Sequence, residues 1–460
     1  MILPEAFIQR TQALLGQEFD AFCDALEKDA PVSIRLNPRK IAATPALEKV
    51  AWCDTGYYLP SRPVFTLDPL FHAGLYYVQE ASSMFLEQVV KNYVKEPIKA
   101  LDLCAAPGGK STHLASLLPE GSLLVSNEYV RSRAYILAEN MKKWGTPSAV
   151  VCNNTPAQIS KLSSFFDLIL VDAPCSGEGM FRKDEGAIAE WSPENVKNCV
   201  ARQGDLLEEI WSALREDGIL IYSTCTYNRQ ENEERVQWIM DELGAELIDV
   251  PLEDSWGVTK SEYGYRFYPH KTKGEGFFMA VLRKTASENI LRIKPQKQNT
   301  KYTCEQLSAL EYILHPNDYL LHTDKNGLFA FSKKYSDEIA YLMKNLFVLH
   351  AGISLGEWKG KSFIPDAGLA FSEELLPDAF VRVEVDMQTA LNFLRTENIV
   401  LTDAPQGIVL LTYKKHPIGF VKNLGNRCNS LYPSEWRIRM NIPQEIEQLE
   451  NNIIPLLWRG

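Results

Sequence analysis

The stretch LDLCAAPGGKSTH, residues 101–113, joins a short apolar run to a helical segment through the turn Pro107-Gly108-Gly109. Such a glycine turn lets backbone N–H groups approach a ligand at the N-terminus of the following helix. The stretch therefore predicts a buried strand, a ligand-binding turn and a helix.

The apolar run that opens this stretch is followed by similar runs further along the chain. Together these runs are IKALDL (98–103), SLLVSN (122–127), SAVVC (148–152), DLILVDA (167–173) and GILIYS (218–223). Amphipathic segments separate them, and one is a clear helix with Ser192 as N-cap and an end at Asp217-Gly218. This alternation predicts an α/β fold with a doubly wound parallel sheet, whose binding sites lie beyond the C-terminal ends of the strands.

The rest of the chain predicts further domains, since 460 residues suggest about three. We predict a small α/β lead-in domain over 1–95 and the core over 96–285. A polar, basic linker over 286–301 follows. A small intermediate domain over 302–390 and a final domain over 391–460 complete the chain.

Composition limits the partners and the compartment. The nine cysteines are scattered and form no C-x-x-C pair, which argues against a disulfide framework and a structural metal. No apolar run approaches the roughly 18 residues that span a bilayer, so we expect a cytoplasmic protein with no membrane partner. The net charge of -11 argues against unselective coating of nucleic acid but leaves room for local basic patches.

Two ligand classes compete for the glycine turn. A P-loop reading matches Gly109, Lys110 and Ser111, but Cys104 stands where the first glycine of that loop belongs. The second reading notes Glu128, 26 residues after Asp102 at the end of the next strand. A carboxylate there can accept from both ribose hydroxyls, which favours an adenosine ligand without a triphosphate, S-adenosylmethionine.

Two cysteines follow later strands at the same sheet edge. Asp172-Ala-Pro-Cys175 ends the fourth strand, and Ser-Thr-Cys225 ends the fifth. A free thiol has a pKa near 8.5, so a working thiolate needs help. Asn228 and Glu231 predict a capping box for a helix beginning at Arg229, whose N-terminus would favour the Cys225 anion.

Methyl transfer to a carbon atom explains why a thiol is needed. Carbon 5 of a pyrimidine is a poor nucleophile until a thiolate adds to carbon 6 and pushes electron density across the ring. An acid near ring nitrogen 3 stabilises the resulting charge, and Asp172 is the residue we expect in that place.

These motifs together resemble the RNA cytosine-5 methyltransferases of the NSUN (Nol/Nop/Sun) type, in particular their bacterial ribosomal-RNA members. The resemblance rests on LDLCAAPGGK, SNE, VDAPCSGEGMFRKD with WSPE, and YSTCTYNRQENE, with IRLNP, YYVQEASSM and RFYP as further matches. It implies a Rossmann-like class I methyltransferase core and a C-terminal PUA-like RNA-binding region.

The resemblance also assigns residues. Cys225 matches the nucleophile, Cys175 the thiol that assists product release, and Asp172 the acid that contacts the base and the donor site. Glu128 matches the ribose-binding acid. Asn154 stands where such enzymes carry an aspartate that contacts the adenine amino group. The methyl-donor loop is matched by Cys104, Ala105, Ala106, Pro107, Gly108, Gly109 and Lys110.

RNA is the expected partner, as ribosomal RNA or the 30S subunit, bound by a monomeric protein. Residues 266–301 are rich in Lys and Arg, and 413–439 interleave basic residues with the aromatic residues Tyr413, Phe420, Tyr432 and Trp436. Aromatic rings among basic residues can stack on unpaired nucleotides. The predicted RNA contacts are Arg35, Asn37, Arg182, Lys183, Arg266, Lys422 and Arg437.

Three other functions remain open at this point. Methylation of cytosine in transfer RNA uses the same chemistry on another substrate. A P-loop ATPase would use the glycine turn for phosphates, and a non-catalytic RNA-binding protein would leave the two thiols unexplained.

Overall fold

The computed structural model describes residues 1–41, 44–286, 290–293, 302–324 and 327–442. Most of the predicted linker over 286–301 and the last part of the predicted 391–460 domain lie outside the described residues. Within the described part, no helix combines the length and the apolar composition that crossing a membrane requires.

The N-terminal region packs helices on a small antiparallel sheet with the strand order β2-β1-β3. Ile34 in the middle strand pairs with Tyr57 on one side and Val78 on the other. The expected small α/β fold is therefore present. Its elements are α1 (Glu5–Leu15), α2 (Phe19–Leu26), α3 (Pro69–His72), α4 (Leu86–Tyr93), β1 (Val32–Leu36), β2 (Gly56–Leu59) and β3 (Tyr76–Val78).

The core is a large mixed sheet with helices on both faces. Its strands are β4 (Lys99–Asp102), β5 (Leu123–Asn127), β6 (Ala149–Cys152), β7 (Phe166–Asp172), β8 (Leu214–Thr224), β9 (Ala245–Leu247), β10 (Thr259–Ser261), β11 (Gly264–Phe267) and β12 (Phe277–Lys284). Its helices are α5 (Gly109–Leu117), α6 (Arg131–Trp144), α7 (Pro156–Ile159), α8 (Glu185–Glu190), α9 (Pro193–Trp211) and α10 (Glu233–Leu243).

The strand order confirms the predicted doubly wound core. From one edge it runs β10-β11-β12-β8-β7-β4-β5-β6, with β4 to β8 parallel and β12 antiparallel to β8. The order reverses at β4, since β5 lies on one side of it and β7 on the other. Ligands of such sheets bind at this switch point, and the glycine turn follows β4 directly.

The apolar run of β7 shows why this segment is a central strand. Leu168 and Leu170 belong to the hydrophobic cluster on one face of the sheet, and Ile169 and Val171 to the cluster on the other. All four are fully buried. A strand covered on both faces needs a continuous apolar sequence, and β7 has one.

The helix α9 begins as predicted but ends earlier. Its N-cap Ser192 accepts a hydrogen bond from the Asn195 N–H at 3.0 Å. The predicted end at Asp217-Gly218 is wrong, because Leu214 already pairs with Phe166 as the start of β8.

The region after the linker does not form the separate intermediate domain predicted over 302–390. It forms a second sheet in the order β13-β14-β16-β17, while β15 leaves that sheet and pairs antiparallel with β6 of the core. The core sheet therefore ends in a strand from this later region. The elements are α11 (Cys304–Ser308), α12 (Ser336–Asn345), α13 (Ala367–Phe371), β13 (Tyr319–Asp324), β14 (Gly327–Ser332), β15 (Val348–Ala351), β16 (Ile353–Lys359) and β17 (Ser362–Pro365).

The C-terminal sheet begins before the predicted boundary at residue 391. Its elements are β18 (Val381–Glu384), α14 (Met387–Leu394), β19 (Gly407–Tyr413), β20 (His416–Asn423) and β21 (Cys428–Ser430). The boundary at 391 would cut α14 and separate β18 from its parallel partner β19. This region shares a hydrophobic core with the N-terminal region, in which Leu36 and Tyr57 join Leu391 and Val409.

Candidate active site

The glycine turn is held from outside by α6. Gly108 adopts a φ of +120°, a conformation that side chains rarely allow, and it precedes α5. The Asn140 amide donates to the Pro107 carbonyl at 2.7 Å, and the Arg133 guanidinium donates to the Ala106 carbonyl at 2.8 Å. These bonds leave the inner side of the turn to the cleft at the strand ends.

This cleft is open to solvent and lies above the end of β4. One wall is the predicted loop from Cys104 to Lys110, with Asp102 and Asp172. The opposite wall comes from the N-terminal region and was not predicted as part of the site. Its residues are Tyr77, Val78, Gln79, Glu80 and Ser83. They lie in the YYVQEASSM motif, so the sequence held a signal for them.

Lys110 links the glycine turn to the Cys175 loop. Its ammonium group lies 2.8 Å from one Asp172 carboxylate oxygen, and the Ser223 hydroxyl donates to the other oxygen at 2.8 Å. Burial would lower the pKa of Lys110, but the charge of Asp172 outweighs it and raises that pKa. Lys110 is therefore a cation, and Asp172 remains partly exposed beside it.

Asp102 lies fully buried beneath the turn. One of its oxygens accepts from the Ser111 hydroxyl at 2.7 Å, while the other has no hydrogen-bond partner. Burial raises the pKa of this carboxyl group to about 7. The free oxygen gives the cleft an acceptor for a donor group of a ligand.

Glu128 also keeps one oxygen without a hydrogen bond. Its first oxygen accepts from the Val130 N–H at 2.8 Å, whereas the second has only the Arg133 guanidinium at 3.6 Å. The side chain is otherwise buried at the end of β5. A carboxylate with a free oxygen in this place fits a ribose hydroxyl, so the residues of the cleft fit S-adenosylmethionine.

Asn154 does not offer its amide to an adenine. Its side-chain nitrogen donates to the Phe347 carbonyl at 3.3 Å, and its side-chain oxygen accepts from the Phe347 N–H at 3.0 Å. Both ends of the amide are therefore occupied by the backbone just before β15. The predicted adenine contact of Asn154 is wrong in this structure, because a partner 193 residues later in the chain occupies the group.

The structure brings Cys175 and Cys225 together. Their sulfur atoms are 3.1 Å apart, and the Cys225 backbone N–H donates to the Cys175 sulfur at 3.3 Å. The hydrogen bond to the Cys225 sulfur, together with burial, raises the pKa of Cys175 well above its ordinary value. Cys175 is therefore the thiol of the pair that holds its proton more tightly than an ordinary thiol.

The predicted help for Cys225 from a helix N-terminus is wrong. The helix α10 begins at Glu233, not at Arg229, and its N-cap Asn232 makes no side-chain capping bond. Asn228 and Glu231 do bind each other, with the Glu231 N–H donating to the Asn228 side chain at 2.8 Å. They form a tight turn that serves another purpose.

That purpose is to join the two cysteine loops through buried carboxylates. Glu231 accepts from the Ser176 backbone N–H at 3.0 Å and from its hydroxyl at 2.5 Å. Glu178 accepts from the N–H groups of Tyr227 and Asn228, at 3.0 and 3.1 Å. Both glutamates are completely buried, and burial raises the pKa of Glu231. The sequence reasoning missed this brace, although both residues lie in the quoted motifs.

Glu178 also holds the N-terminal helix onto the site. Its other oxygen accepts from the Trp191 indole at 3.0 Å and pairs with Arg10 of α1. The Arg10 guanidinium lies 5.2 Å from the centre of the Trp191 ring. The N-terminal region thus contacts the loop that carries Cys175.

Replacing Glu178 by glutamine is expected to lower the free energy of unfolding by about 2–4 kcal/mol, since an amide cannot accept all these bonds and leaves buried donors unpaired. Urea denaturation of the full chain measures the change. The exposed Glu185 gives a matched control, for which we expect less than about 0.5 kcal/mol. Equal stability of the two variants would show that the brace contributes little.

Four predicted RNA contacts are structural instead. Arg35 is fully buried, where it donates to Gln79 and Thr112 at 2.8 and 2.6 Å. Asn37 donates to the Gly74 and Trp144 carbonyls. These two side chains fix the N-terminal sheet to the core, so neither reaches an RNA.

Arg182 and Arg266 are likewise internal. Arg182 binds Glu275 at 3.0 Å and two backbone carbonyls, and its side chain is 6% exposed. Arg266 forms a buried pair with Glu233. Among the predicted contacts, Lys183 and Arg437 are exposed and Lys422 is half-buried, so these three stay predictions.

The predicted aromatic stacking surface is not present in the C-terminal sheet. Tyr413, Phe420 and Tyr432 are buried in hydrophobic cores, and Trp436 packs beside Tyr432. The spacing of these aromatic residues is that of side chains that face the hydrophobic core. The C-terminal region does expose several basic side chains, which are Lys414, Lys415, Arg427, Arg437 and Arg439.

One group of side chains in the described residues has the composition of a metal site. Cys53, Glu87 and His113 are buried with their donor atoms within 4.8 Å of one another. Glu87 accepts from the Cys53 thiol at 3.0 Å and lies 3.4 Å from His113, while Lys91 pairs with its other oxygen. Hydrogen bonds and an ion pair account for this cluster.

The doubly wound sheet, the glycine turn and the acid after β5 define a class I methyltransferase. Three family models match the chain in agreement with this class. The model of the 16S rRNA methyltransferases RsmB/F matches 91–283, that of the N-terminal domain of RsmF matches 3–81, and that of the RsmF PUA domain matches 380–438. The chain belongs to the RsmF family of 16S rRNA methyltransferases.

Individual relatives match over nearly the whole chain. Ribosomal RNA small subunit methyltransferase F of Salmonella agona is 31% identical over 463 residues, covering 94% of this chain and 96% of the relative. The protein of that name from Serratia proteamaculans is 30% identical, covering 95% and 96%. These matches confirm the resemblance seen in the sequence.

Solved structures match about three fifths of the chain. A methyltransferase homologue from Pyrococcus horikoshii has a TM-score of 0.52 at 29% identity, covering 61% of this chain and 95% of its own. NSun6 from Pyrococcus horikoshii has a TM-score of 0.52 at 20% identity, covering 62% and 99%. The second likeness supports the fold alone.

Proposed function

We propose that this protein transfers a methyl group from S-adenosylmethionine to carbon 5 of a cytosine in 16S ribosomal RNA. The observation that carries the proposal is the pair of sulfur atoms 3.1 Å apart, beside Asp172 at the end of the donor cleft. Transfer to nitrogen or oxygen needs no thiol, whereas carbon 5 needs a nucleophile that activates the ring.

The residues of the cleft would hold the donor along the strand ends. The loop from Cys104 to Lys110 would hold its methionine end, and Glu128 would hold the ribose. When bound, the donor supplies an electrophilic methyl group. Tyr77 and Gln79 form the wall facing the glycine turn, so the N-terminal region contributes to the same cleft.

In the reaction, the Cys225 sulfur forms a bond to carbon 6 and the ring electrons move toward carbon 5. Asp172 contacts ring nitrogen 3, and the Lys110 ammonium group beside it stabilises the negative charge that the addition puts on the ring. After carbon 5 gains the methyl group it loses its proton to a base, and the bond between sulfur and carbon 6 breaks. The electrons of that bond stay on the Cys225 sulfur, and Cys175, adjacent to Cys225, assists this release.

We propose that the PUA region and the surface near the site bind the RNA and position it at the site. The exposed basic residues of the C-terminal sheet, which include Arg427 and Arg437, suit phosphate contacts. The C-terminal region shares a hydrophobic core with the N-terminal region. That region also lines the donor cleft, so the basic surface and the site belong to one connected body.

The test is transfer of tritiated methyl groups from S-adenosylmethionine by the purified full chain. Parallel reactions contain free 16S RNA, 30S subunits or total transfer RNA, and mass mapping locates 5-methylcytosine in the product. Incorporation into 16S RNA or 30S subunits is expected. Labelling of transfer RNA alone would show that transfer RNA, and not 16S RNA, is the substrate. Methylation at a nitrogen atom or at the ribose would refute the thiol mechanism.

A further inference from the structure

The residues proposed to bind the methyl donor follow three neighbouring parallel strands, β7, β4 and β5. Lys110 and Asp172 line the donor cleft, and Glu128 directly follows β5. When Glu128 holds the ribose, the base attached to it lies toward the end of the next strand, β6. The residues beyond β6 therefore decide how an adenine is held, an inference that rests on the proposed function.

Beyond β6, the chain of the later region lies directly on the strand end. The Asn153 backbone N–H donates to the Phe347 carbonyl at 2.9 Å, and the Asn154 amide binds both backbone groups of Phe347. Pairing of β15 with β6 continues this contact. The backbone of Phe347 is thus fixed at the place where an adenine-binding residue is expected.

The same short segment is tied to the ribose-binding loop. The Asn153 side-chain amide donates to the Glu128 carbonyl at 2.7 Å and to the Tyr129 carbonyl at 2.9 Å. Asn153 therefore bridges the loop after β5 to Phe347.

The side chains in this neighbourhood are apolar and uncovered. Phe347 is 50% exposed, Tyr129 is 64% exposed and Val130 is 44% exposed. A fixed backbone that carries exposed aromatic rings forms a surface that a flat ligand can cover. Stacking and burial of the aromatic faces both stabilise such binding.

We infer that Phe347, supplied by the region after the linker, stacks on the adenine of the methyl donor and completes the donor site. Asn154 is a positioning residue, since its amide holds the Phe347 backbone instead of contacting the base. Stacking by Phe347 replaces the charged contact that an aspartate would make. The donor site of this chain is therefore built by three regions, the N-terminal region, the core and the segment before β15.

The experiment measures the affinity of the full chain for S-adenosylhomocysteine by isothermal titration calorimetry. Phe347→Ala is expected to weaken binding about 10-fold to 100-fold, as loss of one base-stacking ring does elsewhere. Phe347→Tyr keeps the ring face and should bind within about threefold of wild type. Leu307→Ala, at a side chain 47% exposed on α11, is the matched control and should bind like wild type.

Enzyme kinetics separates this role from general damage. Phe347→Ala should raise the KM for S-adenosylmethionine and leave the KM for RNA unchanged. Asn154→Ala should produce a smaller increase in the same parameter, because it frees the backbone of Phe347 but keeps the ring. If Phe347→Ala proves unfolded by its melting curve, Phe347→Leu takes its place, with an expected loss of about fivefold or more.

Two failures remain distinguishable. If wild type binds S-adenosylhomocysteine and the folded Phe347→Ala protein, or its leucine replacement, binds equally well, the inference about Phe347 is overturned and the proposed function stands. If wild type itself shows no binding of S-adenosylhomocysteine, the proposed function fails.

Discussion

Cys225→Ala is expected to reduce methyl transfer to 16S RNA to background, a loss of roughly 10⁴-fold or more. Without the sulfur nothing adds to carbon 6, and carbon 5 stays too poor a nucleophile to take the methyl group. Burial remains in this variant and still favours the protonated form of the neighbouring Cys175, so we expect that Cys175 does not substitute for the lost sulfur. Incorporation of tritiated methyl groups at saturating donor measures the loss.

The variant must keep the donor site for this result to be informative. Binding of S-adenosylhomocysteine is the internal check, since the residues lining the donor cleft do not include Cys225. Cys304→Ser is the matched control, because this cysteine is exposed on α11 and outside the site. Residual activity above one per cent of wild type in Cys225→Ala would exclude Cys225 as the nucleophile.

Cys175→Ala is expected to accumulate a covalent protein–RNA complex that survives denaturing electrophoresis. Cys225 still attacks in this variant, but the thiol 3.1 Å away that assists its release from carbon 6 is gone. Release of the methylated product should slow by about 10²-fold to 10⁴-fold, the usual effect of losing a general acid or base. A shifted band containing labelled RNA is the readout.

The double variant Cys175→Ala/Cys225→Ala identifies the sulfur in that complex. It should form no adduct, since the attacking group is absent. An adduct in Cys225→Ala with none in Cys175→Ala would reverse the two roles. Peptide mapping of the complex names the modified cysteine directly.

The residues that follow the parallel strands are the part of this molecule that the sequence predicts best. The doubly wound core places residues after each parallel strand at one edge, so Cys104 to Lys110, Asp172, Cys175 and Cys225 converge by topology alone. The structure places all of them around one cleft and its neighbouring loop. Local sequence sufficed because each residue directly follows a recognisable strand.

Side chains with distant partners were the part that sequence could not place. Arginine is a residue type that often contacts phosphate. Arg35, however, is held inside the protein by hydrogen bonds to Gln79 and Thr112, which lie 44 and 77 residues away along the chain. Asn154 is occupied by Phe347, 193 residues later. Nothing local to either residue reveals these contacts.

A local signal was also overridden at Asn228. The Asn228 and Glu231 pair has the spacing of a capping box, but both side chains turn to Ser176 on the other cysteine loop. Buried carboxylates need several donors, and the neighbouring loop supplies them. The helix therefore begins at Glu233.

The pairing of β15 with β6 affects how the protein is made. About 200 residues separate the paired positions Val150 and Ala351, and a ribosome needs roughly 10 to 40 s to add them. Until then the edge of β6 has no partner on the emerging chain, and exposed edges invite pairing with other chains. We therefore expect a chain stopped near residue 285 to aggregate more readily than the complete protein, so synthesis past residue 351 decides its solubility.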